Sequence, residues 1–372
     1  MEVYLRLAKK YDVEFYFTYP EWGKFYESFS NAAEASAVKA LPFNKELRLM
    51  MDNRIVKRVF MSRFAFFDGG IFPRVFKEIM KGNYQIVDTL ETYTFSSLQS
   101  ALARKLNRSK IVITNFENIP SPWRRYTIAR KFVMSTADAI IVHSRTAEEK
   151  LVVEGFVPER IHFLPCAINV DKLHPKQISD LKKKVDLDGP IVLYLGRIST
   201  EKGLMYLLQA FPSILNEVHD AKLVIFGEGP EKKVLIELSQ KLGIAQSVVF
   251  PGSIPHSEIQ EAFALAEVFV LPSIPTASWK EQFGYVLIEG MSCGKPVVAS
   301  RTGSIPEIVD DGVTGLLVPP KDVAGLSQAI VSLLLNPSKA REMGKNARKK
   351  AVETYADTVV AENLGKLYSS IL

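Results

Sequence analysis

Two acids, Glu281 and Glu289, stand with seven residues between them, Phe283 and Gly284 included, in the segment WKEQFGYVLIEGMSCGKPVVAS. Glu289 falls in an apolar run that reads as a short helix, and Glu281 in the polar loop that feeds it. Carboxylates accept hydrogen bonds from hydroxyl groups, and the first amides of a helix attract anionic oxygens. Acids and amides at one helix mouth therefore suit a sugar held beside a phosphate.

A second candidate is GRISTEKG, in which Gly196 and Arg197 end an apolar strand and Lys202 and Gly203 open a helix. Two cations so spaced can converge on one anion, and charge-assisted contacts of this kind contribute roughly 1.5–3 kcal/mol each. The same spacing also suits an ordinary solvated turn. Gly227, Glu228 and Gly229 form another glycine turn after a strand. That turn either faces a nucleotide or meets the geometric needs of a strand-to-helix connection. Pro272-Ser273 closes a further strand just before the loop that carries Glu281. Gly303, Ile305, Pro306 and Glu307 follow the strand PVVAS.

Positioning these groups requires a regular frame, and the second half of the chain predicts one. Apolar runs bounded by Gly or Pro occur at 191–196, 222–227, 247–251, 267–271, 296–299 and 315–318. Helical patterns at 203–218, 231–242 and 257–266 lie between them. Short buried strands alternating with helices predict a parallel, doubly wound sheet, which binds ligands beyond the carboxyl ends of its strands. The first half is less regular: a helix at 2–10, a strand at 13–19, then strands at 85–89, 110–114 and 139–143. It opens on the helix, without the strand and tight glycine turn that normally begin such a domain. The lysine-rich stretch KLHPKQISDLKKKVDLDG predicts a linker. The expected organisation is a first domain over 1–175, a linker over 176–189 and a second domain over 190–355. A final helix over 356–372 returns to the first domain.

The chain has 372 residues, 47% hydrophobic and 24% charged, with a mean hydropathy of +0.05. This is the balance of a globular protein of about two domains. No run reaches the roughly 18 apolar residues of a membrane-spanning helix. The charged start, MEVYLRLAKKYD, does not read as a secretory signal. Two distant cysteines, Cys166 and Cys293, read as free thiols of a reducing cytoplasm. The net charge of +6 is concentrated in the first half, which suits an anionic partner or is plain surface charge. Residues 45–81 interleave basic side chains with phenylalanines, as an interfacial surface would, or as a helix with an ordinary core face would. His143, His162, His174, His219 and His256 are scattered without metal-like grouping, so no metal site is expected. The positive charge is not organised around a nucleic-acid motif.

The succession GRISTEKG, FGEGP, LPS, the Glu281–Glu289 segment and RTGSIPEIVDDGVTGLLVPP resembles the retaining nucleotide-sugar glycosyltransferases of glycosyltransferase family four. The resemblance is dense over 191–321 and looser over 136–175. It implies the GT-B arrangement, two doubly wound, Rossmann-like parallel-sheet domains facing a central cleft. It also implies a nucleoside-diphosphate sugar as donor substrate, with no cofactor. On this likeness Arg197 and Lys202 would neutralise the donor diphosphate without a metal, with Gly196 and the 227–229 turn beside it. Glu289 would accept from the ribose hydroxyls and Glu281 would contact the donor sugar. The amides around Phe283, Gly284 and Tyr285 would meet sugar hydroxyls or phosphate.

In the first domain the chain departs from the family pattern. Many members carry a histidine in the loop after the fourth strand, where this chain reads ITNFENIPSPW. Glu117 there could bind or deprotonate an acceptor hydroxyl, Asn118 could orient the sugar, and either could simply cap a turn. Glu91, in VDTLETY, is an acceptor-side candidate. The expected acceptor is a glycan, a lipid-linked glycan or a small molecule, used in the cytoplasm or at the inner face of the membrane. Two other readings stay open. One is a nucleotide-sugar-binding protein with impaired catalysis. The other is a glycosidase using Glu281 and Glu289, which needs carboxylates opposed across a bond.

Overall fold

A computed structural model describes residues 3, 6–7, 15–17, 38–40, 73–82, 84–119, 127–176 and 188–372. Most of the basic, phenylalanine-rich stretch at 45–81, most of the expected linker and most of the expected opening helix lie outside the described residues. The chain divides into two compact units, Met1–Pro165 with Val360–Leu372, and Cys166–Val359. The division thus falls after Pro165, ahead of the lysine-rich stretch read as the linker.

In the first unit, β1 (Phe15–Phe17) pairs in parallel with β2 (Val38–Ala40). After α1 (Pro73–Lys81) comes a parallel sheet of β3 (Ile86–Leu90), β4 (Lys110–Asn115), β5 (Ala139–Val142) and β6 (Ile161–Phe163), in that spatial order. Helices α2 (Phe95–Asn107), α3 (Thr127–Thr136) and α4 (Arg145–Val153) make the crossovers. The strands are near-continuous apolar runs because a parallel sheet is covered on both faces. Ile111, Ile113, Ile140 and Val142 pack with Val133, Ala147 and Leu151. The Thr94 and Ser144 side chains accept from the amides of Ser97 and Ala147, starting α2 and α4 with orphan donors satisfied.

The second unit is a six-stranded parallel sheet in the order β12-β11-β10-β7-β8-β9. Its strands are β7 (Ile191–Leu195), β8 (Lys222–Phe226), β9 (Val248–Gly252), β10 (Val268–Leu271), β11 (Val297–Ser300) and β12 (Gly315–Val318). Each lies within a residue or two of its expected position. The connecting helices are α5 (Leu204–Glu217), α6 (Lys232–Lys241), α7 (Ile259–Leu265), α8 (Tyr285–Ser292), α9 (Ile305–Ile308) and α10 (Val323–Leu334). Leu204, Leu207, Leu208, Phe211 and Ile214 recur at helical spacing and are buried along α5. Strand order reverses between β7 and β10, which makes the gap between them the topological switch point. Their following loops carry Arg197–Lys202 and Ser273–Glu281.

After α11 (Pro337–Tyr355), helix α12 (Asp357–Ile371) ends the chain. Its residues from Val360 onward group with the first unit. There Tyr368 donates to Asp88 Oδ2 at 2.6 Å, tying the helix to β3.

Candidate active site

Lys202 ends a short 3-10 turn, Thr200–Lys202, that brings the chain from β7 into α5. Its Nζ lies 2.7 Å from Glu281 Oε2, and Ser273 Oγ donates to that same oxygen at 2.9 Å. The Lys202 ammonium also sits 4.8 Å from the centre of the Trp279 ring. Glu281 and Ser273 are buried. A buried carboxylate is tolerated only when paired and hydrogen-bonded. Loops after two strands that flank the switch point therefore converge on one carboxylate.

The loop carrying Glu281 is itself clamped by the turn after β11. Gly303, at φ +56°, packs so closely that a Cβ there would lie 2.2 Å from the Glu281 carbonyl oxygen. Ser304 donates its amide to that carbonyl at 3.1 Å and its hydroxyl to Gln282 O at 2.6 Å. The RTGS turn thus sets the backbone position of the acid.

The other cation, Arg197, goes elsewhere. Its side chain is 62% exposed and pairs with Glu201, whose second contact is Ser199 Oγ at 2.7 Å. The buried Tyr194 hydroxyl donates to the Arg197 carbonyl at 2.7 Å and fixes the turn. Arg197 and Lys202 each hold a different acid, so the structure does not join them on one group.

Gly196 and the 227–229 turn stand side by side. The amide of Gly196 donates to Phe226 O at 3.0 Å and that of Gly227 to Gly252 O at 2.8 Å. A Cβ at Gly227 would meet Gly196 O at 1.9 Å, and one at Gly229 would meet Ile198 O at 2.0 Å. These glycines are required for close passage of backbone at the carboxyl ends of β7, β8 and β9. Glu228 points outward and pairs with Lys232 at 2.7 Å.

Gly284 is the N-cap of α8, which starts at Tyr285. Phe283 is buried, with its ring 5.6 Å from Tyr285 and 6.0 Å from Tyr355 in edge-on contacts. Glu289 lies one turn inside α8 and is bonded to His256 Nε2 at 2.9 Å. The two acids of the segment thus have separate partners, Lys202 with Ser273 for one and His256 for the other. That bond raises His256 above the ordinary histidine range, with partial desolvation opposing it.

In the first unit the expected acceptor-side residues gather at the carboxyl ends of β3 and β4. Glu117 is bound by Lys150 and by Arg130 Nη2 at 3.2 Å. Arg130 also pairs with Glu154 at 2.7 Å and donates to Thr92 Oγ1 at 2.7 Å. Burial, followed by the charge of Arg130, holds Lys150 below the usual lysine range. Glu117 is therefore held by two buried cations. Asn118 is buried beside it.

Glu91 has φ +60°, a left-handed conformation uncommon outside glycine. Its Oε1 accepts from the Phe116 amide at 3.0 Å, while its Oε2 is buried without a hydrogen-bond partner among the described residues. Burial pushes its carboxyl up to about 7. Next to it, the Phe116 ring lies 4.2 Å from that of His143. His143 Nδ1 donates to Leu164 O at 2.6 Å, and burial lowers the imidazole to about 4. Sequence reasoning missed Ser273, Trp279 and His256 as partners of the expected site, and missed Lys150 and Arg130. Ser273 carried a signal, as the residue closing β10 at the switch point; the others carried none, since their partners are remote in sequence.

Residues 6–172 match the family model described as Glycosyltransferase Family 4, and residues 176–350 match that of Glycosyl transferases group 1. A GDP-mannose-dependent alpha-(1-6)-phosphatidylinositol monomannoside mannosyltransferase of Mycolicibacterium smegmatis is 30% identical over 281 residues, 73% of each chain. The chain belongs to glycosyltransferase family four. The alpha-D-kanosaminyltransferase of Streptomyces kanamyceticus is 28% identical over 69% of this chain and 66% of its own. The fold is shared with Anabaena HepE in complex with UDP, at TM-score 0.77, 19% identity and coverage of 99% of this chain and 95% of that one. A glycosyltransferase from Rickettsia africae also gives 0.77, at 20% identity over 100% and 93%. This glycosyltransferase thus has the two parallel-sheet α/β domains of the GT-B fold.

Proposed function

We propose that this glycosyltransferase moves a hexose from a nucleoside-diphosphate sugar to a hydroxyl acceptor, with retention of anomeric configuration and without a metal ion. The observation that carries the reading is the Lys202–Glu281–Ser273 cluster at the switch point, where a doubly wound sheet binds its ligand. As the sugar–oxygen bond breaks, negative charge develops on the diphosphate. Lys202 stabilises that charge from a fixed position, and Arg197 can exchange Glu201 for a phosphate oxygen because its guanidinium is mostly exposed. Glu281, held by Ser273, accepts a hydrogen bond from a donor-sugar hydroxyl. Glu289 accepts from the ribose, and the first amides of α8 face the donor.

Retention follows from attack on the face that the leaving diphosphate vacates. Glu281 and Glu289 are each engaged by other side chains, which speaks against either as a covalent nucleophile. The same engagement speaks against a two-carboxylate glycosidase. The acceptor is bound by the first unit, with Asn118 and Glu91 as its candidate contacts. By analogy with the mycobacterial phosphatidylinositol monomannoside mannosyltransferase, a lipid-linked glycan is the acceptor class we favour. Catalysis would then take place in the cytoplasm at the inner membrane face. Among the described residues no helix is long and apolar enough to cross a membrane.

The test is incubation with UDP-, GDP- and ADP-sugars and a panel of glycolipid and free-glycan acceptors, with product anomers read by NMR. An α-linked product from an α-linked donor, undiminished by EDTA, supports the reading. An inverted anomer or a strict metal requirement overturns it.

A further inference from the structure

We infer that His256 is a positioning residue for nucleotide binding, holding Glu289 in the orientation from which its other oxygen receives the ribose. The inference rests on the proposed role of Glu289 and deepens it. His256 sits in the turn after β9, at the carboxyl edge of the same sheet. Its side chain is 76% exposed, yet its Nε2 is 2.9 Å from Glu289 Oε1, whose own side chain is 11% exposed.

The geometry separates the two oxygens of Glu289. Oε1 takes the imidazole, while Oε2 has no hydrogen-bond partner among the described residues. A carboxylate has acceptor capacity for both a fixed donor and an incoming pair of hydroxyls. Glutamate has three side-chain torsions, so a bond to one oxygen removes motion that ribose binding would otherwise have to freeze. The imidazolium also offsets the charge of Glu289, which would otherwise repel an incoming diphosphate.

The charged groups that act on the ring are Glu289 on α8, which favours its protonated form, and Lys172, which opposes it. The charge-assisted form is the stronger clamp. Nucleotide affinity should therefore be highest below the raised transition of His256 and decline as pH rises through it. The decline is partial, because the neutral Nε2–H tautomer still donates.

The test is isothermal titration between pH 5.5 and 8.5 with UDP-glucose, GDP-mannose and ADP-glucose, using whichever binds. Sugar-blocked diphosphates do not titrate in this interval. Inorganic pyrophosphate is the control that lacks a ribose. His256→Ala is expected to weaken sugar-nucleotide binding about tenfold at pH 6 and about threefold at pH 8.5, flattening the profile. It should leave pyrophosphate affinity unchanged, and His256→Gln should restore part of the loss without the pH slope. If Glu289→Gln weakens binding while His256→Ala changes neither affinity nor slope, the inference is wrong and the reading of Glu289 stands. If Glu289→Gln itself leaves ribonucleotide affinity intact, the ribose assignment fails first. A His256→Ala loss that extends equally to pyrophosphate would mean a general disturbance of the sheet edge, and would also overturn the inference.

Discussion

Lys202 and Glu281 form a partly buried ion pair at 2.7 Å, across loops that flank the reversal of strand order in the second unit. The pair has a structural consequence beside its chemical one. Removing the cation leaves a buried acid supported by Ser273, and breaking a buried pair from one side typically costs about 3–5 kcal/mol. Lys202→Ala should therefore lower both nucleotide affinity and the unfolding midpoint. Lys202→Ala with Glu281→Gln should recover stability without recovering affinity. Thermal unfolding of the single and double variants, each with and without nucleotide, separates the two effects. Recovery of affinity in the double variant would contradict the role given to Lys202.

Gly303 meets the Glu281 carbonyl too closely for any side chain and sits at positive φ. Gly303→Ala should destabilise the second unit by about 2–4 kcal/mol and displace Glu281. Denaturant unfolding gives the first quantity, and kcat on the surviving folded fraction reports the second. A wild-type midpoint would show that the RTGS turn yields without cost.

The Glu117–Lys150–Arg130 network makes a different prediction. Lys150 is almost wholly buried, at 3% side-chain exposure, so Glu117→Ala leaves two buried cations with only Glu154 to share. A loss of about 3–5 kcal/mol is expected, measurable by urea unfolding. Glu117→Gln, which keeps the shape, should cost less. If Glu117→Gln is as stable as wild type while kcat collapses, Glu117 is chemical after all.

Glu91 gives a prediction in pH. Its folded value is raised from 4.5 to about 7, so the folded protein binds the proton more tightly than the unfolded chain. Its contribution to stability is fully present below the unfolded value and is lost as pH rises through about 7. Over that interval the loss is about 3 kcal/mol. Glu91→Gln should remove this slope and be the more stable protein at pH 8. Unfolding curves at pH 5 and pH 8 check it, and an unchanged slope in Glu91→Gln would assign the dependence to another group.

Much of the second unit was legible in the sequence because its signals are local. Runs such as IVLYL and KLVIF are short, apolar and bounded by glycine, and parallel strands covered on both faces need no other information. Gly227 and Gly303 were visible as turn residues, but their partners, Gly196 O and Glu281 O, are matters of tertiary contact. Ion pairs were illegible for the same reason. Nothing in GRISTEKG says that Lys202 will reach Glu281 while Arg197 folds back on Glu201. Nor does FENIP say that Glu117 will meet Lys150 from α4 and Arg130 from α3.

The most direct test of the central claim, that the switch-point cations grip a diphosphate, is titration of inorganic pyrophosphate and the best-binding sugar nucleotide into wild type, Arg197→Ala and Lys202→Ala. The account predicts that each substitution weakens both ligands by about tenfold or more, with the second unit still folded by circular dichroism. Wild-type affinity for both ligands in both folded variants would contradict it.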